Sequence, residues 1–205
     1  MPIESYLKKL RNIYETMDRA YGEAMAFYGF DCNGCQDNCC RTHFFHYTIA
    51  EYLFLIRGFS TLEGGLQEEI VTRAQEMSDS GQKENYLCPL NLHGRCLLYP
   101  YRAMICRLHG LPFEVQRPDG LIEEGSGCEK FEKEGFCRGL PYRRIDRTPF
   151  YRDLANLERE IRQEIQYPRK FKLTIAEMLK DGQGEEDVWR ILKAAEKGRF
   201  DRNAE

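Results

Sequence analysis

The sequence predicts a mainly α fold, in which a helical frame surrounds an irregular, cysteine-rich segment with a small β-hairpin. Three observations support this fold class. Apolar residues recur at steps of three and four towards both ends of the chain, as they do on one face of an α-helix. Between residues 85 and 139 this period is lost, and cysteine, glycine and proline become frequent. Within that stretch, a Pro-Asp-Gly turn separates two short runs that could pair as strands.

Three helices are predicted before the irregular segment. An apolar stripe predicts a helix over residues 3–28, which Gly29 would end because glycine accepts the left-handed conformation at a helix C-terminus. Thr48-Ile-Ala-Glu51 is a capping box, which predicts that a second helix begins there and runs to Gly58. A third helix is predicted over Leu66–Ser78, with Gly81 after it.

The hairpin is predicted from Pro112–Gln116 and Leu121–Glu123, which flank Arg117–Gly120. Proline presets the backbone for such a turn, and glycine accepts the positive φ that the turn needs.

Helices are predicted again in the last third of the chain. Thr148 and Pro149 read as an N-cap followed by proline in the first helical position, and Pro168 would break this helix. Thr174-Ile-Ala-Glu177 is a second capping box, opening a helix that Gly182 would stop. The last predicted helix spans about Glu185–Lys197, with three apolar residues facing inward: Val188, Ile191 and Leu192.

The composition bounds the class of protein. The chain has 205 residues, of which 42% are apolar and 31% charged, with a formal net charge of −3. This balance predicts a single globular domain over 1–205, with a cysteine-cluster region of about 28–140 between the N-terminal helix 3–28 and C-terminal helices over 148–198. Mixed charges give no electrostatic case for nucleic acid, and no apolar run is long enough for a membrane. Without a secretory signal, we expect a cytoplasmic protein with reduced thiols.

The nine cysteines fall into three groups. Disulfides rank third among their possible uses, behind metal binding and isolated thiol chemistry, because the count is odd and disulfide frameworks belong mainly to short secreted chains. Adjacent cysteines rarely bind one metal together, so the vicinal pair predicts either two centres or one ligand beside a supporting thiol. The first group is Cys32, Cys35, Cys39 and Cys40; the second is Cys88, Cys96 and Cys106; the third is Cys128 and Cys137.

The first two groups are the candidate metal ligands, since four cysteines within nine residues among polar neighbours are not typical of core packing. Cys128 and Cys137 fit a ligand or a bystander role equally well. Of the four histidines, His109 is the candidate ligand because it follows Cys106 by three residues; His43, His46 and His93 are interpreted as structural. Thiolate sites are anionic, so we expect nearby guanidinium groups to balance their charge. The candidates for that role are Arg95, Arg102 and Arg107.

The resulting pattern resembles the YkgJ-like cysteine-cluster family, also called the CxxCxxCC family or zinc- or iron-chelating domain. The matching residues, within about 28–140, are Cys32-x2-Cys35-x3-Cys39-Cys40, Cys88-Pro-Leu, Arg95-Cys96-x2-Tyr99 and Arg102-x3-Cys106-Arg107. The chain departs from the family pattern at Ala103, where proline is usual, and in the three-residue gap before Cys39. The cysteine motif is more distantly similar to that of bacterial flagellin lysine methylases, which implies an iron–sulfur cluster used with S-adenosylmethionine.

The spacings favour an iron–sulfur cluster, with zinc as the second choice. Structural zinc sites usually pair two short knuckles, whereas this chain has one CxxC and long, unequal gaps elsewhere. Iron–sulfur clusters accept cysteines from distant loops, so a four-iron cluster is the first choice. The ligands are assigned to a first set of Cys32, Cys35, Cys39 and Cys106, and to a second or supporting set of Cys40, Cys88 and Cys96.

These features predict a cytoplasmic metal-binding protein that acts in electron transfer, sensing or metal handling with a redox or protein partner. The alternative is a cluster-dependent methyltransferase that uses S-adenosylmethionine, although the chain has no GxGxxG or P-loop motif to locate a nucleotide. Thiol redox chemistry at Cys32 and Cys35 is a third hypothesis. It is weaker because no βαβ pattern surrounds the CxxC pair.

Overall fold

The computed structural model describes residues 2–31, 39–80, 87–133, 141 and 143–197, and it is mainly helical, as predicted. The helices and strands are α1 (Pro2–Tyr28), α2 (Ile49–Phe59), α3 (Gly64–Ser80), β1 (Asn91–Leu92), β2 (Arg95–Cys96), α4 (Met104–Arg107), β3 (Phe113–Gln116), β4 (Ile122–Gly125), α5 (Glu129–Lys133), β5 (Ile145–Asp146), α6 (Thr148–Ile165), α7 (Ile175–Leu179) and α8 (Glu185–Lys197).

The helix α2 is the centre of the fold, since all its residues except Arg57 are buried. It packs against α1, α6 and α8. Its N-terminus is capped from two directions. The Thr48 hydroxyl accepts the Glu51 N–H at 3.3 Å, and the Glu158 carboxylate of α6 accepts the Ile49 N–H at 2.8 Å. These bonds fix the segment that precedes α2. Cys39 and Cys40, the first cysteines that the structure describes, lie at the other end of that segment.

The predicted helix boundaries agree closely with the structure. The helices predicted over 3–28 and Glu185–Lys197 are found at Pro2–Tyr28 and Glu185–Lys197. The full capping box at Thr174 is present, since its side chain and that of Glu177 each accept the other's backbone N–H. Gly81, the predicted end of α3, lies outside the described residues.

Two details of the last helices were predicted wrongly. Thr148 is the first residue of α6 and Arg147 its N-cap, because the Thr148 hydroxyl accepts the Gln116 N–H at 2.9 Å. Ile191 of α8 is 49% exposed, whereas Val188 and Leu192 are buried. Helical spacing predicts which face of a helix is apolar but not how wide the buried part of that face is. Ile191 lies outside the buried part of α8.

Two small sheets lie in the irregular segment. The predicted hairpin is present as β3 and β4, and β5 adds a third strand parallel to β3. A second hairpin, β1 and β2, was not predicted. Its loop is His93 and Gly94, both with positive φ (51° and 81°), which is typical of a tight two-residue hairpin. This hairpin pairs Asn91 with Cys96 and so positions one candidate ligand.

No helix among the described residues is both long and apolar enough to cross a bilayer.

The contact between α2 and the 3-10 turn Tyr99–Tyr101 requires a glycine at position 58. A β-carbon there would overlap the Tyr101 ring, which is wedged against Phe54. We expect Gly58→Ala to lower the free energy of unfolding by about 1–3 kcal/mol, as overpacking does, measured by urea denaturation. Gly22→Ala is the control, because Gly22 is exposed in α1 with open space around it. It should leave stability unchanged or raise it slightly, and equal losses in both variants would contradict the argument.

Candidate metal centre

Five of the predicted ligands line one cavity of about 30 Å³: Cys39, Cys40, Cys88, Cys96 and Cys106. They come from four separate places in the fold: the 3-10 turn Cys39–Arg41, the loop before β1, the strand β2 and the helix α4. The rest of the wall is largely apolar and includes Leu55 of α2 and Ile175 of α7. The fold therefore brings together thiols that lie up to 67 positions apart in the chain.

A backbone hydrogen bond joins the first two cysteine groups. The Cys88 N–H donates to the Cys40 carbonyl at 2.7 Å, and the Asn91 N–H donates to the Cys88 carbonyl at 2.9 Å. The first bond holds the loop before β1 against the vicinal cysteines, and the second turns that loop into the hairpin. The positions of Cys40, Cys88 and Cys96 are thus set by main-chain geometry.

The thiols interact with one another. Hydrogen bonds from the Cys39 and Cys88 thiols, with the positive charge of Arg102 adding to them, hold the pKa of Cys40 well below its usual range. Conversely, hydrogen bonds to Cys106 and Cys40 raise the pKa of Cys39, and the bond to Cys40 together with burial raises that of Cys88. Among the hydrogen-bonded thiols Cys39, Cys40 and Cys88, ionisation is therefore favoured at Cys40.

The pKa of Cys96 is raised to about 12 by burial, with the Cys40 thiolate adding to the effect. A bound cation would have to displace protons from several thiols, because cysteine binds a metal strongly only in its thiolate form.

Arg102 is the predicted charge-balancing residue that the structure places at the cavity. Its guanidinium lies 3.5 Å above the Tyr99 ring centroid and donates to the Cys106 carbonyl at 3.2 Å. These contacts hold a positive charge beside the sulfur atoms.

Arg95 and Arg107 are not part of the cavity lining. Arg95 is exposed on β2. Arg107 is buried, forms an ion pair with Asp18 of α1 at 2.6 Å and lies 4.1 Å from the Tyr14 ring centroid. Its Nε also donates to the Arg102 carbonyl at 2.8 Å. Arg107 therefore fastens the loop before α4 to α1, and its charge is met by Asp18.

The remaining candidates lie elsewhere or outside the described residues. Cys128 is buried before α5, where its N–H donates to the Gly110 carbonyl at 3.1 Å, and it does not line the cavity. His109 does not line it either, and its ring packs edge-on against Phe44 with centroids 5.9 Å apart. The other three, Cys32, Cys35 and Cys137, lie outside the described residues, and their predicted roles stay predictions.

His46, which the sequence led us to interpret as structural, is part of the cavity wall. It is 3% exposed, and its Nε2 has no hydrogen-bond partner among the described residues. Burial lowers the pKa of this imidazole and so favours the neutral form. No sequence signal distinguished His46 from His43, because both follow the vicinal cysteines within six positions.

The donor set around the cavity suits a metal that prefers sulfur. Thiolates and imidazole nitrogen are the ligands of zinc and of iron in clusters, whereas magnesium and calcium prefer oxygen. Within the described part of the chain, no three histidine, cysteine, aspartate or glutamate side chains converge closely enough to hold a metal ion. The five thiols share one cavity, and four of them, Cys39, Cys40, Cys88 and Cys106, hydrogen-bond among themselves, so loading would replace these thiol contacts by bonds to the metal.

No family model, curated protein or solved structure matches the chain. The resemblance to the cysteine-cluster family and the methyltransferase alternative therefore stay predictions.

Proposed function

We propose that this protein binds a metal centre through its clustered thiolates, with an iron–sulfur cluster as the first choice and zinc as the second. The observation that carries the proposal is that five predicted cysteines line one cavity. Cys32 and Cys35 are proposed as further ligands on the sequence pattern alone. The expected role is in redox transfer, sensing or metal handling.

Metal binding accounts for the cavity better than ordinary core packing does. Buried cysteines often act as small apolar residues in a protein core. Core packing gives no reason for five of them, from four separate parts of the fold, to line one cavity. Three of the five, Cys39, Cys96 and Cys106, are only half-buried. A disulfide framework would use these thiols in pairs, whereas Cys40 contacts both Cys39 and Cys88.

The irregular origin of the ligands favours a cluster over a zinc knuckle. The ligands come from a turn, a loop, a strand and a short helix, and iron–sulfur clusters accept such irregular sets. Apolar walls from Leu55, Leu98 and Ile175 would limit solvent access, which is one of the factors that set a cluster's reduction potential. Arg102 would offset part of the negative charge of a thiolate-bound centre.

Anaerobic purification followed by iron, sulfide and zinc analysis tests the proposal, together with the absorption spectrum. A four-iron cluster predicts roughly four iron and four sulfide per chain and broad visible absorption that bleaches on reduction. The zinc alternative predicts about one zinc per chain and no visible absorption. A well-folded protein that holds neither metal, both as purified and after reconstitution with iron and sulfide or with zinc, would overturn the proposal.

A further inference from the structure

His46 is held rigidly beside the thiols. Its backbone N–H donates to the Leu173 carbonyl at 2.7 Å, and its carbonyl accepts the Leu173 N–H at 3.0 Å. This isolated antiparallel bridge ties the segment after Cys40 to the segment before α7. His46 therefore lines the cavity from a backbone whose N–H and carbonyl are both held by Leu173.

The buried Nε2 of His46 calls for a partner. Buried side-chain nitrogen atoms are nearly always hydrogen-bonded, because an unsatisfied one loses its hydration without compensation. Among the described residues this atom has none, and the cavity that His46 lines is also lined by five cysteines. A ligand in the cavity would supply the missing interaction.

We infer that His46 Nε2 is a nitrogen ligand of the metal centre, so that the centre has mixed sulfur and nitrogen coordination. The inference rests on the proposed metal-binding function. A neutral imidazole is the form in which histidine binds metals, and it binds both zinc and the iron of clusters.

Charge balance supports a nitrogen ligand over another thiolate. Replacing one thiolate by a neutral imidazole lowers the negative charge of the centre by one unit, whichever metal it holds. Arg102 is the one cationic side chain among the described residues of the cavity wall. Because uncompensated charge is costly in a largely apolar cavity, the mixed ligand set suits this wall better than an all-thiolate set.

X-ray absorption on the loaded wild-type protein tests the inference directly. We expect a nitrogen bonded to the metal at about 2.0–2.1 Å beside sulfur at about 2.3 Å, with weaker scattering from the more distant atoms of an imidazole ring. If the centre is a cluster, its reduced form should also show a ¹⁴N hyperfine coupling in pulsed electron paramagnetic resonance. Both signals should be absent in His46→Gln, and metal retention should fall at least tenfold under chelator challenge. His93→Asn is the matched control, because His93 is exposed in the β1–β2 turn and asparagine tolerates its positive φ.

The outcomes separate this inference from the proposed function. A metal-loaded wild type with only sulfur ligands would overturn the role of His46 and leave metal binding intact. A nitrogen signal that survives in His46→Gln would assign the ligand to another residue and would also overturn it. A wild type that binds no metal would overturn both proposals. If His46→Gln fails to fold, the spectra are recorded on His43→Gln, His93→Asn and His109→Gln, and loss of the nitrogen signal in any of these variants would overturn the inference.

Discussion

Cys106→Ala is expected to lower the metal bound per chain at least tenfold under chelator challenge. Cys106 lines the cavity from α4, and its thiol bonds to that of Cys39. An alanine there removes a sulfur donor at the point where α4 meets the vicinal cysteines. Mutating a residue that only supports a metal ligand typically lowers metal affinity 10–100-fold. Removing a ligand itself should lower the affinity by at least as much. Metal analysis after anaerobic reconstitution and gel filtration gives the measurement.

The matched control is Cys128→Ala, which removes a sulfur of the same kind from a buried site away from the cavity. Its metal content should equal that of the wild type, with only a modest loss of stability. If the two variants lost metal equally, the cavity would not be the metal site. If neither lost metal, Cys106 would not be a ligand.

Glu51→Ala is expected to lower the free energy of unfolding of the metal-free protein by about 3 kcal/mol. Glu51 is 6% exposed, and one carboxylate oxygen accepts the Met104 N–H at 2.8 Å and the Tyr14 hydroxyl at 3.3 Å. The other oxygen accepts the Thr48 hydroxyl at 2.6 Å. Removing the carboxylate leaves buried donors unpaired, at about 1–3 kcal/mol for each such group. Urea denaturation in the presence of a chelator measures the change.

Glu51 joins α1, α2 and α4, and α4 carries Cys106. We therefore expect Glu51→Ala also to weaken metal retention, although Glu51 does not line the cavity. Glu68→Ala is the control, since Glu68 is exposed on α3 and its substitution should change stability by less than about 0.5 kcal/mol. A Glu51 variant as stable as the Glu68 variant would show that these buried hydrogen bonds contribute little.

The helices could be predicted because their signals are local. The capping residues Thr48 and Thr174 bond to groups three positions away, and the stripe in α1 repeats over 27 residues. The β1–β2 hairpin could not be predicted in this way. Its loop places His93 at positive φ, a conformation that is uncommon for residues other than glycine, so surrounding contacts decide it.

The candidate site could be predicted only as a set of residue types. Arg102 and Arg107 look alike in the sequence, yet Arg102 lies at the thiols while Arg107 pairs with Asp18. Similarly, His46 lines the cavity and His109 does not. Nothing local distinguishes the members of these pairs, because their environments are made by residues distant in the chain.

By itself, the sequence determined that the protein is mainly helical, where most helices begin and end, and that cysteines collect in the irregular middle. Those properties depend on interactions within a few residues, which spacing and capping patterns record. The tertiary structure decided that Cys39, Cys40, Cys88, Cys96 and Cys106 share one cavity and that Cys128 lies apart. Convergence depends on how α2, α4 and the β1–β2 hairpin pack, and no spacing along a chain specifies that packing.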